Sequence, residues 1–383
     1  MGGPSYYEFF AGGGMARAGL GPGWRCLFAN DFDPRKARAY AQNWGEADLR
    51  LGDINKLTAA DLPGCADLAW ASFPCQDLSL AGNGKGLEGA RSGAFFGLAA
   101  LVAQLREQGR APKMLALENV VGLLTSNGGA DFAALCRALQ DLGYRFGALT
   151  IDAVHFLPQS RPRLFMVAID CDLVIPSDCI ADAPSSDWTS AALLRARDAL
   201  PAAIARDWLW WRLPPPPLRN RALLDLIEPS PRDVDWLDTQ KTARLLDLMA
   251  PLHRARVEAA RASGAKMVGA LYRRTRRDAT GARVQRAEVR FDGIAGCLRT
   301  PAGGSSRQSL LVIENGRIRA RLVSGREAAR LMGLPDDYIL PKGYTDACHL
   351  LGDGVAAPAV RFLAAHLLEP LLGHATAPLL AAE

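Results

Sequence analysis

Cys75 stands where a nucleophile is expected rather than a structural thiol. It follows Pro74 at the end of an apolar segment, residues 66–73, which is predicted to be a buried strand. The carboxyl end of a strand is the edge at which α/β proteins bind ligands, and a thiolate is a strong nucleophile that can also leave again. We therefore predict covalent chemistry at Cys75, whereas the other seven cysteines are expected to be reduced and mostly buried.

A carboxyl group and two guanidinium groups follow neighbouring predicted strands. Glu118 comes directly after the strand predicted over residues 113–117, and Arg161 and Arg163 lead into another strand at 163–169. Each has a structural explanation by itself, since an acid stabilises a helix start and arginines are common on surfaces. A nucleophile, an acid and two cationic donors at neighbouring strand ends together indicate a catalytic site.

A glycine cluster and two acids point to a nucleoside-type cofactor. Residues 10–14 (FAGGG) connect a predicted strand to a helix, and glycines there let the backbone approach a ligand. Asp31 ends the next predicted strand, where an acid binds a ribose hydroxyl in dinucleotide-binding folds, and Asp53 ends the third. The glycine cluster by itself is also compatible with a simple tight turn.

The elements that position these residues alternate between strands and helices over the first 170 residues. Short apolar runs predict strands, including a closing pair at 145–153 and 163–169. The strand–helix alternation predicts an α/β sheet with helices on both faces. The predicted helices of this part cover residues 34–44, 95–108 and 132–142.

Beyond residue 170 the pattern becomes less regular, with clustered proline and tryptophan. A helix is predicted over 237–262, and amphipathic helices return at 326–332 and 357–372. The tryptophan cluster at residues 208–211 is expected in the core of a second, smaller domain rather than as a platform for stacked bases.

Positive charge is concentrated in one window of the sequence. The formal net charge of the chain is +5, whereas residues 254–307 hold thirteen Lys or Arg against four Asp or Glu, so the window is +9 and the remainder is −4. A basic block on a mildly acidic body predicts a surface that faces a polyanion. A solvated, arginine-rich surface without a ligand is the alternative.

The composition favours a folded protein with a substantial core, since 49% of its 383 residues are hydrophobic. We find no N-terminal leader pattern and no apolar run of about 18 residues, so neither secretion nor a membrane span is expected. The cysteines form no CxxC pair, and we expect no metal site.

The motifs resemble, in order, those of the cytosine-C5 DNA methyltransferases that use S-adenosylmethionine. The cofactor-side motifs are FAGGG, NDFDP and GDI, at the ends of the first three predicted strands. The catalytic motifs are FPCQDLS around Cys75, ENV at 118–120 and QSRPRLF at 159–165. Two late motifs are RLVSGREAARLMGLPDDY at 321–338 and GDGVAAPAV at 352–360. The resemblance covers nearly the whole chain, and the ordered set is specific.

The resemblance implies a fold and an activity. The expected fold is an α/β, Rossmann-like S-adenosylmethionine-dependent methyltransferase sheet (1–170 plus 318–383) with a second, smaller, irregular target-recognition domain that binds DNA (171–317). The expected reaction transfers a methyl group from S-adenosylmethionine, leaving S-adenosylhomocysteine, to C5 of cytosine in a specific duplex DNA sequence. Cys75 would attack C6 of a flipped-out base, with Glu118, Arg161 and Arg163 completing the catalytic set.

The resemblance also implies binding residues and partners. The cofactor set comprises Phe10, Ala11, Gly12, Gly13, Gly14, Asp31, Phe32, Asp53, Ile54, Pro74, Asp353, Gly354 and Val355. The DNA set comprises Gln76, Ser79, Lys85, Arg91, Arg273, Arg274, Arg276, Arg299, Ser305, Ser306 and Arg307. The implied protein is a monomer in the prokaryotic cytoplasm, associated with the nucleoid, that binds double-stranded DNA. A separate cognate restriction endonuclease is a candidate partner, and a solitary enzyme is the alternative that stays open.

Three positions depart from the family pattern. Phe73 stands where the family commonly has proline before Pro-Cys, and Glu8 stands where it often has aspartate. Both replacements are conservative. Asp353 stands where asparagine is usual and would add a carboxylate near the charged end of the cofactor, so its contribution to binding is open.

Three alternatives remain open at this point. The same chemistry on tRNA cytosine is one, although the long basic region favours DNA. A dinucleotide-dependent oxidoreductase would account for FAGGG and Asp31 but leaves Cys75, Glu118 and the paired arginines unexplained. A catalytically inactive DNA-binding subunit is disfavoured by the intact Cys75 and Glu118.

Overall fold

A seven-stranded sheet and a four-stranded sheet organise the chain, in a computed structural model that describes residues 3–74, 93–277, 280–300 and 307–373. Packing divides the chain into two units. The first comprises Met1–Asp152, Pro162–Pro216 and Val355–Glu383, and the second comprises Ala153–Arg161 and Pro217–Gly354. The sequence predicts that residues 1–170 and 318–383 carry out catalysis and that residues 171–317 recognise DNA. Both assignments concern function and stay predictions.

The strands in the described ranges are numbered in chain order. They are β1 Ser5–Phe9, β2 Arg25–Asp31, β3 Leu49–Leu51, β4 Leu68–Ser72, β5 Met114–Val120, β6 Tyr144–Asp152, β7 Pro162–Asp170, β8 Ile180–Ala181, β9 Trp210–Trp211, β10 Met267–Arg277, β11 Arg283–Arg290, β12 Ser309–Glu314 and β13 Arg317–Leu322.

The α-helices are numbered in the same way. They are α1 Met15–Leu20, α2 Pro34–Trp44, α3 Ala94–Glu107, α4 Ala130–Asp141, α5 Ala191–Asp198, α6 Ala202–Ala205, α7 Leu223–Leu226, α8 Thr239–Asp247, α9 Pro251–Ala262, α10 Gly325–Leu331, α11 Tyr344–Asp353, α12 Ala357–Leu363 and α13 Glu369–Leu371, with a π-helical turn at Ala364–Leu368.

The seven-stranded sheet of the first unit has the order β3-β2-β1-β4-β5-β7-β6. Strands β3, β2, β1, β4 and β5 pair in parallel, whereas β7 runs antiparallel to both β5 and β6. The predicted α/β class and the closing strand pair are therefore confirmed. The strand order reverses between β1 and β4, and open α/β sheets bind ligands outside the carboxyl ends of strands at such a point.

Local sequence rules account for the helix that follows β2. Helix α2 begins at Pro34, which has no backbone N–H to lose in the first turn. The side chain of Asp33 accepts a hydrogen bond from the backbone N–H of Arg35 at 2.8 Å and so caps the helix. Gly45, with a φ of 84°, follows the last residue. The predicted bounds of 34–44 are confirmed.

The core of the first unit also contains the tryptophans that the sequence suggested for the smaller domain. Trp208 is 8% exposed and lies with its ring centroid 6.1 Å from those of both Phe132 and Phe146. Trp210 packs against the same cluster. The expectation that they are core residues holds, but the assignment to the smaller domain was wrong. Residues up to Pro216 pack with the first sheet because these rings cover helix α4 and strand β6.

The chain returns to the first unit after residue 354. A Cβ at Gly19 in α1 would lie 2.5 Å from the carbonyl oxygen of Ala357, so only glycine lets α1 approach α12 this closely. Arg361 donates to the carbonyl oxygen of Leu20 at 2.6 Å, and the indole of Trp24 donates to Glu369. The segment from 355 onward is therefore an integral part of the first unit.

The second unit is more regular than the sequence suggested, because it holds an antiparallel sheet of order β11-β10-β12-β13. The prediction of a single helix over residues 237–262 is wrong. Two helices, α8 and α9, cover this region, because Pro251 cannot continue α8 and instead occupies the first turn of α9.

A buried ion pair joins the last strand of this sheet to helix α10. Both guanidinium Nη atoms of Arg321 donate to the carboxylate of Glu327, at 2.7 and 2.6 Å, and both side chains are inaccessible to solvent. Glu327 also accepts from the backbone N–H groups of Ser324 and Glu228. The late motif at 321–338 thus contributes a fully buried ion pair that ties α10 to β13.

Among the described residues, one stretch resembles a membrane span by length and composition. Tyr344–Leu371 reaches a mean hydropathy of 1.2, but 67% of its most apolar window is buried inside the protein. Such burial is typical of core helices in soluble proteins, so this stretch is weak evidence for a span.

Candidate active site

A cavity of about 290 Å³ opens in the first unit at the predicted ligand edge. That volume is at the lower end of the range for small-molecule sites. The cavity is lined by residues from the ends of β1, β2, β3 and β4 and from the start of α3. These residues are Phe10, Asn30, Phe32, Gly52, Asp53, Ile54, Asn55, Pro74 and Ala94.

The structure brings together five of the residues that were predicted to bind the cofactor: Phe10, Phe32, Asp53, Ile54 and Pro74. The sequence analysis did not predict the other four residues that line the cavity. Asn30, Gly52 and Asn55 directly flank predicted residues in NDFDP and GDI, so the motifs themselves held the signal. Ala94 comes from a distant helix and had no local signal.

The glycine loop after β1 is held in a strained shape. Phe10 has a φ of 57°, a left-handed conformation that is costly for a bulky side chain. The indole of Trp44 donates to the carbonyl oxygen of Gly13 at 2.9 Å. A Cβ at Gly14 would lie 2.6 Å from Cδ1 of that indole, so glycine is required there by space as well as by its φ of 77°.

Asp31 fastens the same loop to β2. Its two carboxylate oxygens accept backbone N–H bonds, one from Gly12 and one from Asp33, both at 2.8 Å. Burial raises the pKa of Asp31, and the two N–H bonds oppose that rise. Asp31, Ala11 and the three glycines shape the loop rather than line the cavity, and their direct contact with a cofactor stays a prediction.

The Asp53 carboxylate is oriented from one side. Its Oδ1 accepts from the backbone N–H of Asn55 at 3.0 Å and from the Asn55 amide at 2.9 Å. Asn30 holds the adjoining turn, since its amide donates to the carbonyl oxygens of Arg50 and Gly52. The cavity therefore has one positioned acid at its rim, and one of its two aromatic lining residues, Phe32, is 70% exposed.

The predicted catalytic acid, Glu118, and one of the two predicted arginines form an ion pair at the end of β5. Arg163 Nε lies 3.1 Å from Glu118 Oε1, and both side chains are largely buried. The register of β5 and β7 brings the two side chains together. Arg163 pairs with Val120 and Phe165 pairs with Glu118, so Arg163 and Glu118 are two positions apart along the paired strands. Glu118 also lies beside Ser72, the last residue of β4.

Asn119 links this pair to the segment that carries the predicted nucleophile. Its buried amide donates to the carbonyl oxygen of Phe73 at 3.0 Å, and Pro74 lines the cavity. Cys75 follows next in the chain and lies outside the described residues. The ENV motif was recognised in the sequence, but this role of its asparagine was missed.

Arg161 has a different environment from Arg163. It is 1% exposed, and its Nη atoms donate to the carbonyl oxygens of Leu298, Gly352 and Gly354 at 2.6 to 2.9 Å. These contacts make it a residue that positions backbone within the second unit. Its predicted catalytic role stays a prediction.

The last three predicted cofactor residues lie around the end of α11. Asp353 is the last residue of this helix and Gly354 follows it, both in the second unit. Val355 begins the return to the first unit and is buried. A role of these residues in cofactor binding stays a prediction.

The residues predicted to bind DNA divide into two groups. Gln76, Ser79, Lys85, Arg91, Ser305 and Ser306 lie outside the described residues. Arg273, Arg274, Arg276 and Arg299 are exposed in the second unit. Arg307 is half-buried and donates to the hydroxyl of Thr345 at 2.9 Å. DNA contact by either group stays a prediction.

The described cysteines only partly match the expectation of buried thiols. Cys26, Cys136 and Cys179 are buried, but Cys65 and Cys171 are exposed. Exposed Cys171 also belongs to a surface group of potential metal ligands with Asp170 and Asp172. Exposed acidic clusters are common without an ion, and we assign no metal there.

The doubly wound sheet and the cavity at its switch point define an α/β methyltransferase fold. A family model described as C-5 cytosine-specific DNA methylase matches residues 5–369. The chain belongs to this family, and it is a DNA cytosine-5-methyltransferase.

Named relatives agree with this assignment, and a solved structure shares the fold. The chain is 25% identical over 370 residues to the Type II methyltransferase M.BsuFI of Bacillus subtilis, covering 96% of this chain and 73% of that one. It is also 25% identical over 361 residues to M.HhaI of Haemophilus parahaemolyticus, covering 94% and 92%. The S. pombe Dnmt2 methyltransferase structure shares the fold, with a TM-score of 0.59, 17% identity and coverage of 96% and 99%.

Proposed function

We propose that this chain methylates C5 of cytosine within a specific duplex DNA sequence, using S-adenosylmethionine as donor and Cys75 as nucleophile. The observation that carries the proposal is the Glu118–Arg163 pair, at 3.1 Å, beside the strand that leads through Pro74 to Cys75. An acid backed by a guanidinium at this edge suits the activation of a cytosine ring.

The cavity supports the choice of cofactor. Its size and lining suit a nucleoside, because Phe32 offers an exposed ring face for an adenine and Asp53 offers an acceptor for an amino or hydroxyl group. S-adenosylmethionine, when bound, supplies an electrophilic methyl group on a sulfonium. The strained Phe10 loop and the Asp53–Asn55 contacts hold the lining in place before the cofactor arrives.

The chain's own residues then carry the chemistry on the base. The Cys75 thiolate adds to C6, which turns C5 into an enamine-like nucleophile. Glu118 donates a hydrogen bond or proton to N3 and so relieves the charge that this addition places on the ring. Arg163 holds Glu118 and binds the base carbonyl. After methylation, loss of the C5 proton and departure of Cys75 restore the aromatic ring.

The substrate base must leave the helix to reach these groups, so we infer base flipping from duplex DNA. The relatives are named Type II methyltransferases, and we propose that this chain acts as a monomer in the cytoplasm beside a separate restriction endonuclease. Bisulfite sequencing of DNA from expressing cells reports the methylated sequence, and light scattering reports the oligomeric state.

The test of the reaction compares two substrates and two cysteine variants. Purified protein receives methyl-labelled S-adenosylmethionine with duplex DNA or with tRNA, and we expect label in DNA cytosine. Cys75→Ala abolishes transfer and covalent trapping on 5-fluorocytosine DNA, because the nucleophile is gone. Cys65→Ala, which removes an exposed thiol of the same unit, retains both.

Two results would overturn the proposal. Turnover that persists in Cys75→Ala would show that Cys75 is not the nucleophile. Label that enters only tRNA would show that tRNA, and not DNA, is the substrate. Glu118→Gln separates acid catalysis from folding, since we expect a loss of about 10²- to 10⁴-fold in kcat with little change in cofactor affinity.

A further inference from the structure

Glu8 is a buried carboxyl group in β1, the strand that leads into the glycine loop of residues 10–14. Its side chain is 1% exposed, and its Oε2 has no hydrogen-bond partner among the described residues. A buried polar atom without a partner is rare in folded proteins and needs an explanation. Glu8 is neither a lining residue of the cavity nor a member of the Glu118–Arg163 pair, so the proposed function leaves it unexplained.

Glu8 joins the two ends of the glycine loop. Its carboxyl group accepts a hydrogen bond from the backbone N–H of Arg17, the third residue of α1. This N–H is one of those that a helix leaves without an internal partner. Gly14, at the N-cap position of α1, has no side chain that could bind it. Because residues 8 and 17 flank the loop, the contact closes the loop at its base.

The same loop brings Glu8 close to the cavity. Phe10, which lines the cavity, is two residues further along the chain, so the Cα atoms of the two residues are at most about 7 Å apart. Asp31, which binds the backbone N–H of Gly12 in this loop, also acts on Glu8 electrostatically. A charge in the cavity therefore acts on Glu8 over a distance on the order of 10 Å.

The surroundings favour the uncharged form of Glu8 in the free protein. Burial raises the pKa of Glu8 to about 8 and Asp31 adds to this rise, whereas the guanidinium and the backbone N–H of Arg17 oppose it. The guanidinium is shared with other groups, because its Nη1 lies 2.8 Å from the hydroxyl of Tyr40 and 3.4 Å from Asp48. Glu8 is therefore mostly protonated at pH 7 and ionises just above neutrality.

Several elements contribute titratable or charged groups around Glu8. The groups that face it are Tyr6 of β1, Arg17 of α1, Cys26 and Asp31 of β2, and Tyr40 of α2. Asp48, Arg361 and Glu369 belong to the same surroundings and bond to Arg17, Leu20 and Trp24. Burial raises the pKa of Cys26 to about 11 and those of Tyr6 and Tyr40 still further, so these three keep their protons where Glu8 titrates.

We propose that Glu8 makes the cofactor site sensitive to the charge of its ligand, so that ionised Glu8 favours S-adenosylmethionine over S-adenosylhomocysteine. The inference rests on the proposed function, because it takes S-adenosylmethionine as the ligand of the cavity. The two ligands differ by one methyl group and by the positive charge of the sulfonium. That charge stabilises the carboxylate of Glu8, which releases its proton to the solvent, whereas the neutral thioether of the product leaves the proton in place.

The size of the effect follows from Coulomb's law. A unit charge about 10 Å away, at an effective dielectric constant of about 20, lowers the pKa of a carboxyl group by about one unit. The affinity for S-adenosylmethionine should therefore rise about tenfold as the pH passes through the range in which Glu8 ionises. Below that range the carboxyl group stays protonated, and the attraction is absent. The affinity for S-adenosylhomocysteine gains nothing from Glu8.

The test is a calorimetric binding measurement on the full-length protein between pH 6.5 and 9. Titrations with each ligand in two buffers of different ionisation enthalpy give the affinity and the number of protons released. The amino group of the ligand also titrates near this range, so each curve is compared with that of Glu8→Gln, whose amide does not ionise. Glu8→Gln has the shape of the uncharged carboxyl group, so we expect it to fold.

Asp33→Asn is the matched control. Asp33 directly follows Phe32, which lines the cavity. Despite partial burial, the hydrogen bonds from Arg35 lower the pKa of Asp33, so it is ionised throughout the measured range. Asparagine keeps the cap of α2. This variant therefore removes a nearby negative charge at every pH and should keep the wild-type pH dependence.

We expect the wild-type protein to gain about tenfold more affinity for S-adenosylmethionine than Glu8→Gln gains between pH 6.5 and 9. Near pH 7.5 it should release about half a proton more per bound ligand than Glu8→Gln, since the pKa of Glu8 moves from about 8 to about 7. With S-adenosylhomocysteine the two proteins should give parallel curves and similar affinities, which shows that the loop of Glu8→Gln is intact.

Parallel curves for wild-type protein and Glu8→Gln with S-adenosylmethionine overturn the proposal. An equal excess of released protons with S-adenosylhomocysteine does so too, because the effect would then not depend on the sulfonium. Loss of both ligands in Glu8→Gln also overturns it, since Glu8 would hold the loop without sensing charge. A wild-type protein that binds neither ligand contradicts the proposed cofactor itself, whereas binding of both with parallel curves contradicts only the role of Glu8.

Discussion

Glu8 gives the protein a pH-dependent stability that can be worked out from the structure. It lies in the centre of β1, is 1% exposed, and one of its carboxylate oxygens, Oε2, has no hydrogen-bond partner. Burial raises the pKa of Glu8 from its ordinary value of 4.5 to about 8, although Arg17 opposes the rise. The folded protein therefore holds this carboxyl protonated at neutral pH.

The sign of the effect follows from proton binding. Between pH 4.5 and 8 the unfolded chain has released this proton and the folded chain has kept it, so stability falls as the pH rises. The slope is about 1.4 kcal/mol per pH unit, and the total is about 5 kcal/mol. Above pH 8 the group is ionised in both states, and the loss stops growing.

Urea unfolding of wild-type protein and Glu8→Gln between pH 5 and 9 tests this reasoning. The neutral amide does not titrate, so the stability of Glu8→Gln relative to wild type should rise by about 1.4 kcal/mol per unit up to pH 8 and then level off. Tyr6→Phe is the control: burial places the pKa of Tyr6 far above this range, so its curve should parallel wild type. Parallel curves for Glu8→Gln itself would show that Glu8 is ionised in the folded state.

Three further substitutions probe the loop, the buried ion pair and the cavity. Gly14→Ala should lower the free energy of unfolding by about 2–3 kcal/mol, because it adds left-handed strain and displaces the Trp44 hydrogen bond; denaturant titration checks this, and an unchanged midpoint contradicts it. Glu327→Gln should destabilise by about 3–5 kcal/mol, since it leaves the Arg321 charge buried and uncompensated, whereas Arg321→Met combined with Glu327→Leu should recover much of the loss. Phe32→Ala should weaken S-adenosylmethionine binding about tenfold, as expected for loss of a stacking ring worth about 1–3 kcal/mol; calorimetry measures the affinity, and unchanged binding removes Phe32 from the site.

The elements near the site were predictable because their signals are local. Helix α2 has an aspartate cap, a first-turn proline and a terminal glycine within thirteen residues, and these rules depend on no distant contact. The helix expected over 237–262 failed at Pro251, where the amphipathic pattern continues but the backbone hydrogen bond does not. Hydrophobic periodicity predicts which face of a helix is buried, but it does not predict whether the backbone hydrogen bonds of the helix are continuous.

The site residues were predictable as a set but not in their individual tasks. Arg161 and Arg163 are equivalent in the sequence, two cations on one extended segment. The structure separates them, because only Arg163 lies in a strand whose register brings it to Glu118. The link from Asn119 to Phe73 depends on the pairing of β4 with β5, which no local pattern specifies.

The return of the chain at residue 355 has a consequence for biosynthesis. The first unit needs α12 against α1 and Glu369 against Trp24, whereas 217–354 is one uninterrupted stretch of the second unit. Ribosomes deliver segments in order, so the stretch 217–354 can fold before the first unit is complete. We expect catalytic competence to wait for helices α12 and α13, which follow this stretch in the chain. We therefore expect the second-unit stretch 217–354 to have formed before a nascent chain can methylate DNA.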